Sequence, residues 1–187
     1  VHVQNRRRFL LLGQTWEGMQ VYDIRRAMQA IRGVLSQTPG LEEVPLAVAA
    51  EGAMAVLAVY ASLFEPPVSQ LELSRVPVSH NVHAEAHAEG IAPPLLNVLK
   101  TLDVPQAAAM AASRGRVAVR HSDAKAFAYV RGVAEALGWP DEQMTLREGL
   151  RGGGESGYPQ ALGKIDLPVV VPGGGAATGD GREGEGR

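Results

Sequence analysis

Between Trp16 and Leu35, apolar residues return at Met19, Tyr22, Ile24, Ala27, Met28, Ile31 and Leu35, close to a 3.6-residue period. Arg25, Arg26, Gln29 and Arg32 fall between them, so the segment predicts an amphipathic helix with a solvated arginine face paired only locally. Pro39-Gly40 marks a turn. The apolar run from Val44 to Ala50 that follows predicts a central parallel strand covered on both faces. Gly52 ends it, and Ala53 to Leu63 predicts a helix of small residues able to pack closely on a sheet.

Alternation from Val68 to Leu73 predicts a second strand, with Val76-Pro77-Val78 continuing extended to Ser79. The stretch from His80 to Pro94 has little periodicity and reads as an excursion over the sheet edge. A helix from Val104-Pro105 to Ala112, a strand from Arg116 to Arg120, a helix from Ala124 to Leu137 stopped by Gly138, and a short strand at Met144 to Leu146 complete the pattern. Helix and strand alternate throughout, which predicts an α/β domain with parallel strands and flanking helices over residues 1–150.

Composition changes after Leu150. Of the chain's 22 glycines, 12 fall in residues 151–187. Such a glycine-rich tail buries too little apolar surface to offset its ordering entropy, and disorder is expected there. Ile165 to Val171 is an apolar island within it, with edge-strand character weakened by Pro168.

Over the whole 187 residues, a net charge of -2 creates no field that would draw in nucleic acid or an anionic membrane surface. No apolar stretch reads as a membrane span. The absence of cysteine removes disulfides, thiolate metal sites and thiol nucleophiles, and leaves the compartment open. Arg6-Arg7-Arg8 before Phe9-Leu10-Leu11-Leu12 has too short an apolar run for a signal core, and reads as an exposed basic turn before an ordered segment.

The chemistry-bearing positions are few. The stretch Ala50-Glu51-Gly52-Ala53-Met54 lies between strand and helix, where a hydrolase nucleophile elbow carries Gly-x-Ser-x-Gly. Gly52 holds the nucleophile position with no side chain to attack anything. Any strand-to-helix crossover also favours small residues there. His80, His83 and His87, with Glu85 and Glu89, form the histidine cluster. Their order does not match the zinc pattern His-Glu-x-x-His, so the reading is a solvated loop without a metal. Trp16 and Trp139 read as packing residues at element ends.

Three stretches together carry a resemblance over residues 7–147. They are Leu11-Leu12-Gly13-Gln14-Thr15 with Gly18 to Ala27, the elbow-like Ala50 to Met54, and Leu95-Leu96-Asn97-Val98-Leu99-Lys100-Thr101-Leu102-Asp103-Val104-Pro105-Gln106-Ala107. In order and spacing the chain resembles the acetylxylan-esterase-like group of bacterial α/β hydrolases. The resemblance implies a partial α/β-hydrolase-like sheet and a serine-histidine-aspartate carboxylic ester hydrolase as ancestor.

Residue by residue, that ancestry is only partly represented. Gly52 replaces the serine, and the Ala53 amide stands where one oxyanion donor would be. Asp123, after the strand Arg116 to Arg120, is in place for the acid, and equally suits an N-cap for a helix from Ala124. No histidine follows His121, although the family's would come later. The other oxyanion donor and the early strands would lie before Val1, and the glycine-rich tail begins where the family places its histidine, as a shifted reading frame would produce. The expectation is a catalytically impaired member or fragment. It takes no cofactor, has an ester or carbohydrate as its ligand class, and self-associates through an exposed sheet edge. The alternative is a binding module built on the same scaffold.

Overall fold

The computed structural model describes residues 2–81, 90–122 and 124–147. The order of elements is α1 (His2–Leu11), α2 (Trp16–Ser36), β1 (Ala47–Glu51), α3 (Ala53–Leu63), β2 (Gln70–Ser74), a 3-10 turn (Val98–Lys100), α4 (Val104–Ala112), β3 (Arg116–Arg120), α5 (Ala128–Leu137) and β4 (Met144–Arg147). The four strands form one parallel sheet in the order β1-β2-β3-β4. This is the α/β architecture that the alternation of helix and strand predicts.

Strand order follows chain order, so each crossover steps the same way, and right-handed connections then stack their helices along one face. The helices touch in sequence, α2 with α3, α3 with α4 and α4 with α5. On the sheet, Val48, Leu71, Val117 and Met144 share one register row, and Ala50, Leu73, Val119 and Leu146 the next but one. Leu71, Leu73, Val117 and Val119 are fully buried in the core with Leu57, Val59, Val104, Phe127 and Val130. Burying a side chain of this kind contributes roughly 1.5–3 kcal/mol.

The opposite rows read Ala49, Glu72, Ala118, Thr145 and Glu51, Ser74, Arg120, Arg147. This face is small and polar. A strand with one apolar and one polar face is half-buried by composition, and β2 and β3 alternate accordingly.

Several expectations need correction. β1 is an edge strand among those described, with Ala49 and Glu51 exposed, because alanine on its outer rows is compatible with solvent. β2 stops at Ser74, since Arg75 turns to a φ of 48° and takes Val76 to Ser79 out of the ladder. The basic N-terminal residues belong to helix α1. α5 begins at Ala128 with Phe127 at its N-cap position, and not at Ala124.

The arginine face of α2 is also more than a solvated surface. Arg25 Nε lies 2.8 Å from Glu65 Oε1, and Gln29 Nε2 donates to both oxygens of the same carboxylate. Arg32 donates to the Pro66 carbonyl at 2.7 Å, and Arg114 to the carbonyls of Ser62, Leu63 and Glu65. Arg114 thus binds carbonyls at the end of α3, and Arg32 those of the two prolines that follow it. Glu65 is buried, which alone would raise its pKa, but hydrogen bonds from Arg25 and Gln29 and the charges of Arg25 and Arg32 outweigh burial and hold it below its ordinary value.

Candidate functional site at the carboxyl edge of the sheet

Open parallel sheets bind ligands outside the carboxyl ends of their strands, where the connecting turns gather. Here Glu51, Ser74, Arg120 and Arg147 form the last register row. One residue further on, Gly52, Arg75 and His121 all have positive φ, at 59°, 48° and 54°. The ladder continues through these residues. Gly52 N donates to Ser74 O at 2.8 Å, Arg75 N to Arg120 O at 3.0 Å, and His121 N to Arg147 O at 2.9 Å. Three neighbouring strands therefore leave the sheet through a residue at positive φ.

For arginine and histidine that conformation costs on the order of 1–3 kcal/mol each, and such strain gathers at functional sites. Gly52, with ψ at -133°, bears it most easily because it lacks a Cβ. An added Cβ at Gly52 would meet nothing within 4 Å, so the tip of the turn faces open space. Ala53 opens α3 directly behind it, and its N–H belongs to the first-turn donors that a helix leaves without intrahelical acceptors. A strand, a glycine at positive φ and the start of a helix thus follow one another without an intervening residue.

The lip carries charge. Arg75 pairs with Glu51 at the surface, where such pairs are worth little. Arg120 Nε pairs with Glu72 at 3.0 Å in a more enclosed position on the polar face. His121 is exposed, and Ser122 is buried with its Oγ accepting from Val76 N at 2.9 Å. Asp123 lies outside the described residues, so of the expected chemistry Gly52 and Ala53 have a described position at this edge. No hydroxyl nucleophile stands at the elbow.

A second polar cluster sits where the chain leaving β2 crosses onto the helices. Asp103, N-cap of α4, accepts from Ser79 Oγ at 2.5 Å, from His80 N at 2.9 Å and from Val104 N at 2.8 Å. Gln106 closes the capping box by accepting from Asp103 N at 3.1 Å. His80 Nε2 lies 3.1 Å from Tyr60 Oη, with the rings 5.6 Å apart. Burial, with Asp103's charge behind it, pushes the Tyr60 phenol well above its ordinary pKa. Asp103 joins the Ser79 hydroxyl and the His80 amide, while the His80 ring meets Tyr60, so the cluster does not form a nucleophile-base relay.

His80 therefore corrects the reading of a wholly solvated histidine loop, since it is partly buried and bonded to a helix. His83 and His87, with Glu85 and Glu89, lie outside the described residues. Among the described residues, no group of three or more His, Asp or Glu is placed to hold a metal ion. The Asp103 network was legible in part, because Asp103-Val104-Pro105-Gln106 has the spacing of a capping box. The Tyr60–His80 and Arg75–Glu51 pairs join residues that only the tertiary fold brings together.

Two surface depressions meet at Arg114, Gly115 and Arg116, around the amino end of β3 and far along the strand from the elbow. Neither gathers residues of positive φ at successive strand ends, so the carboxyl edge is preferred. Compared with known proteins, the chain matches no family model, no curated protein and no solved structure.

Proposed function

We propose that this chain is a degenerate or partial member of a carboxylic ester hydrolase family of the acetylxylan-esterase-like kind, impaired in catalysis. The observation that carries the reading is Gly52, at positive φ between a parallel strand and its helix, with open space where a nucleophile's side chain would stand. A hydrolase elbow uses that strained turn to lift a hydroxyl above the sheet. With glycine at the tip, the Ala53 amide has no tetrahedral intermediate to stabilise.

The test is turnover of a simple aryl acetate by the purified chain. The expected rate is that of buffer with an inert protein of equal concentration. Enzyme-like saturating turnover would overturn the impairment.

A second reading, a binding module on the same scaffold, is favoured by Arg75 and His121. Strained non-glycine residues in register at three strand exits persist most readily where they serve a site. It predicts that a member of a panel of carbohydrates and esters raises the thermal midpoint of the chain, and that Arg75→Gly and His121→Gly reduce that rise while leaving the unliganded midpoint equal or higher. A panel in which nothing shifts the midpoint counts against it.

A further inference from the structure

We infer that two copies of this chain pair about a two-fold axis through the outer face of α2, with the two helices antiparallel. The inference is independent of any ester chemistry at Gly52. It also goes beyond pairing of the β1 edges, because it gives the helix layer a contact of its own.

The inner face of α2 is fully used. Val21 and Met28 are buried and Ile24 packs on the core, while Arg25 and Gln29 hold Glu65 and Arg32 holds the proline carbonyls. On the opposite side Trp16, Met19, Asp23, Ala27, Ala30 and Val34 recur at steps of three and four residues, all exposed, with Ile31 beside them. Trp16 is 52% exposed, Met19 40%, Ile31 47% and Val34 65%. The solvent face of a surface helix is ordinarily charged or polar. Here Asp23 is the charged member of the stripe, and Arg26 flanks it. Phe9 stands edge-on to Trp16, with 6.1 Å between ring centroids, and supports that ring at the head of the stripe.

The pattern selects the occupant. A two-fold interface sets each patch against itself, so the patch must complement its own reverse. Laid antiparallel about its middle, the stripe puts Trp16 opposite Val34 of the second copy, and Met19 opposite Ile31 of the second copy. Asp23 then meets the small Ala27 of the second copy, with Arg26 of that copy one position away. Arg26 Nη1 donates to Gln29 Oε1 at 2.7 Å, which leaves its other donors for a carboxylate. A parallel pair would instead oppose Asp23 to Asp23 and Arg26 to Arg26. Charge therefore fixes the direction. The place agrees with this, since the rows α2-α3-α4-α5 and β1-β2-β3-β4 run in step, and α2 and the edge strand β1 close the same side of the molecule.

The experiment is sedimentation of the full chain across a concentration series, with Asp23→Arg, Arg26→Asp and Ile31→Lys beside the wild type. The wild type should form a reversible dimer. Each variant should raise the dissociation constant by about tenfold or more, because it brings like charges together or buries a lysine in the contact. An equimolar mixture of Asp23→Arg and Arg26→Asp should dimerise like the wild type, since each charge then meets its opposite on the other copy. Native mass spectrometry should find that heterodimer. The substituted side chains are exposed in the single chain, so the dilute variants should keep the wild-type thermal midpoint. A chain that stays monomeric throughout, with the face open or covered by another segment, overturns the inference. So does a dimer that Ala49→Lys disrupts and these variants do not, or a mixture no more dimeric than its components. Should a charge variant not fold, Ile31→Lys decides alone.

Discussion

At the scale of single residues, Gly52 and Glu65 show how differently one side chain can matter. Gly52→Ser adds a hydroxyl where no atom lies within 4 Å, so its cost is the backbone strain alone, on the order of 1–3 kcal/mol, read as a lower urea midpoint with an unchanged slope. It should not restore ester turnover by itself, because among the described residues no histidine contacts the tip. Glu65 acts through its charge. Replacing it by Gln removes charge-assisted bonds from Arg25 and Gln29 and should cost roughly 1.5–3 kcal/mol by the same measurement. Because its folded pKa lies below the ordinary 4.5, the stability it supplies is present above pH 4.5 and is lost as pH falls through the folded value. Acid melts of the wild type and of Glu65→Gln should therefore converge below that pH.

At the scale of elements, the junction between α4 and β3 is closely packed. A Cβ at Gly115 would stand 2.2 Å from the Val68 carbonyl oxygen, and backbone cannot yield as a side chain does. Gly115→Ala should destabilise by about 1–3 kcal/mol, checked by chemical denaturation. How far the elements were legible follows from their physics. α3 and α4 were read to their boundaries because a strand or loop composition changes abruptly at Gly52 and at Asp103. β3, as Arg-Val-Ala-Val-Arg, announced both its period and its ends. β1 was misplaced as central because an alanine-rich run looks alike whether one face or two are covered. The early end of β2 was hidden because nothing local marks Arg75 as adopting positive φ. That turn follows from the neighbouring strand, whose Arg120 carbonyl accepts its amide.

At the scale of the molecule, the described residues form two layers, with helices on one face of the sheet and a polar face opposite. The site's position was legible to the extent that an elbow-like turn was read from Ala50 to Met54. The row of left-handed exits beside it was not, since Arg75 and His121 join Gly52 only through strand register. β1 as an edge strand, with Ala49 exposed, retains the route to self-association by strand pairing. Sedimentation across a concentration series should show association that Ala49→Lys suppresses. A monomer at all concentrations would set that route aside.

Intact-mass analysis after exposure to a fluorophosphonate probe tests whether the turn at Gly52 lacks a working nucleophile. The mass should be unchanged, with no phosphonylated residue in the digest. A stoichiometric mass gain on one serine would contradict it, and would place the chain among working hydrolases.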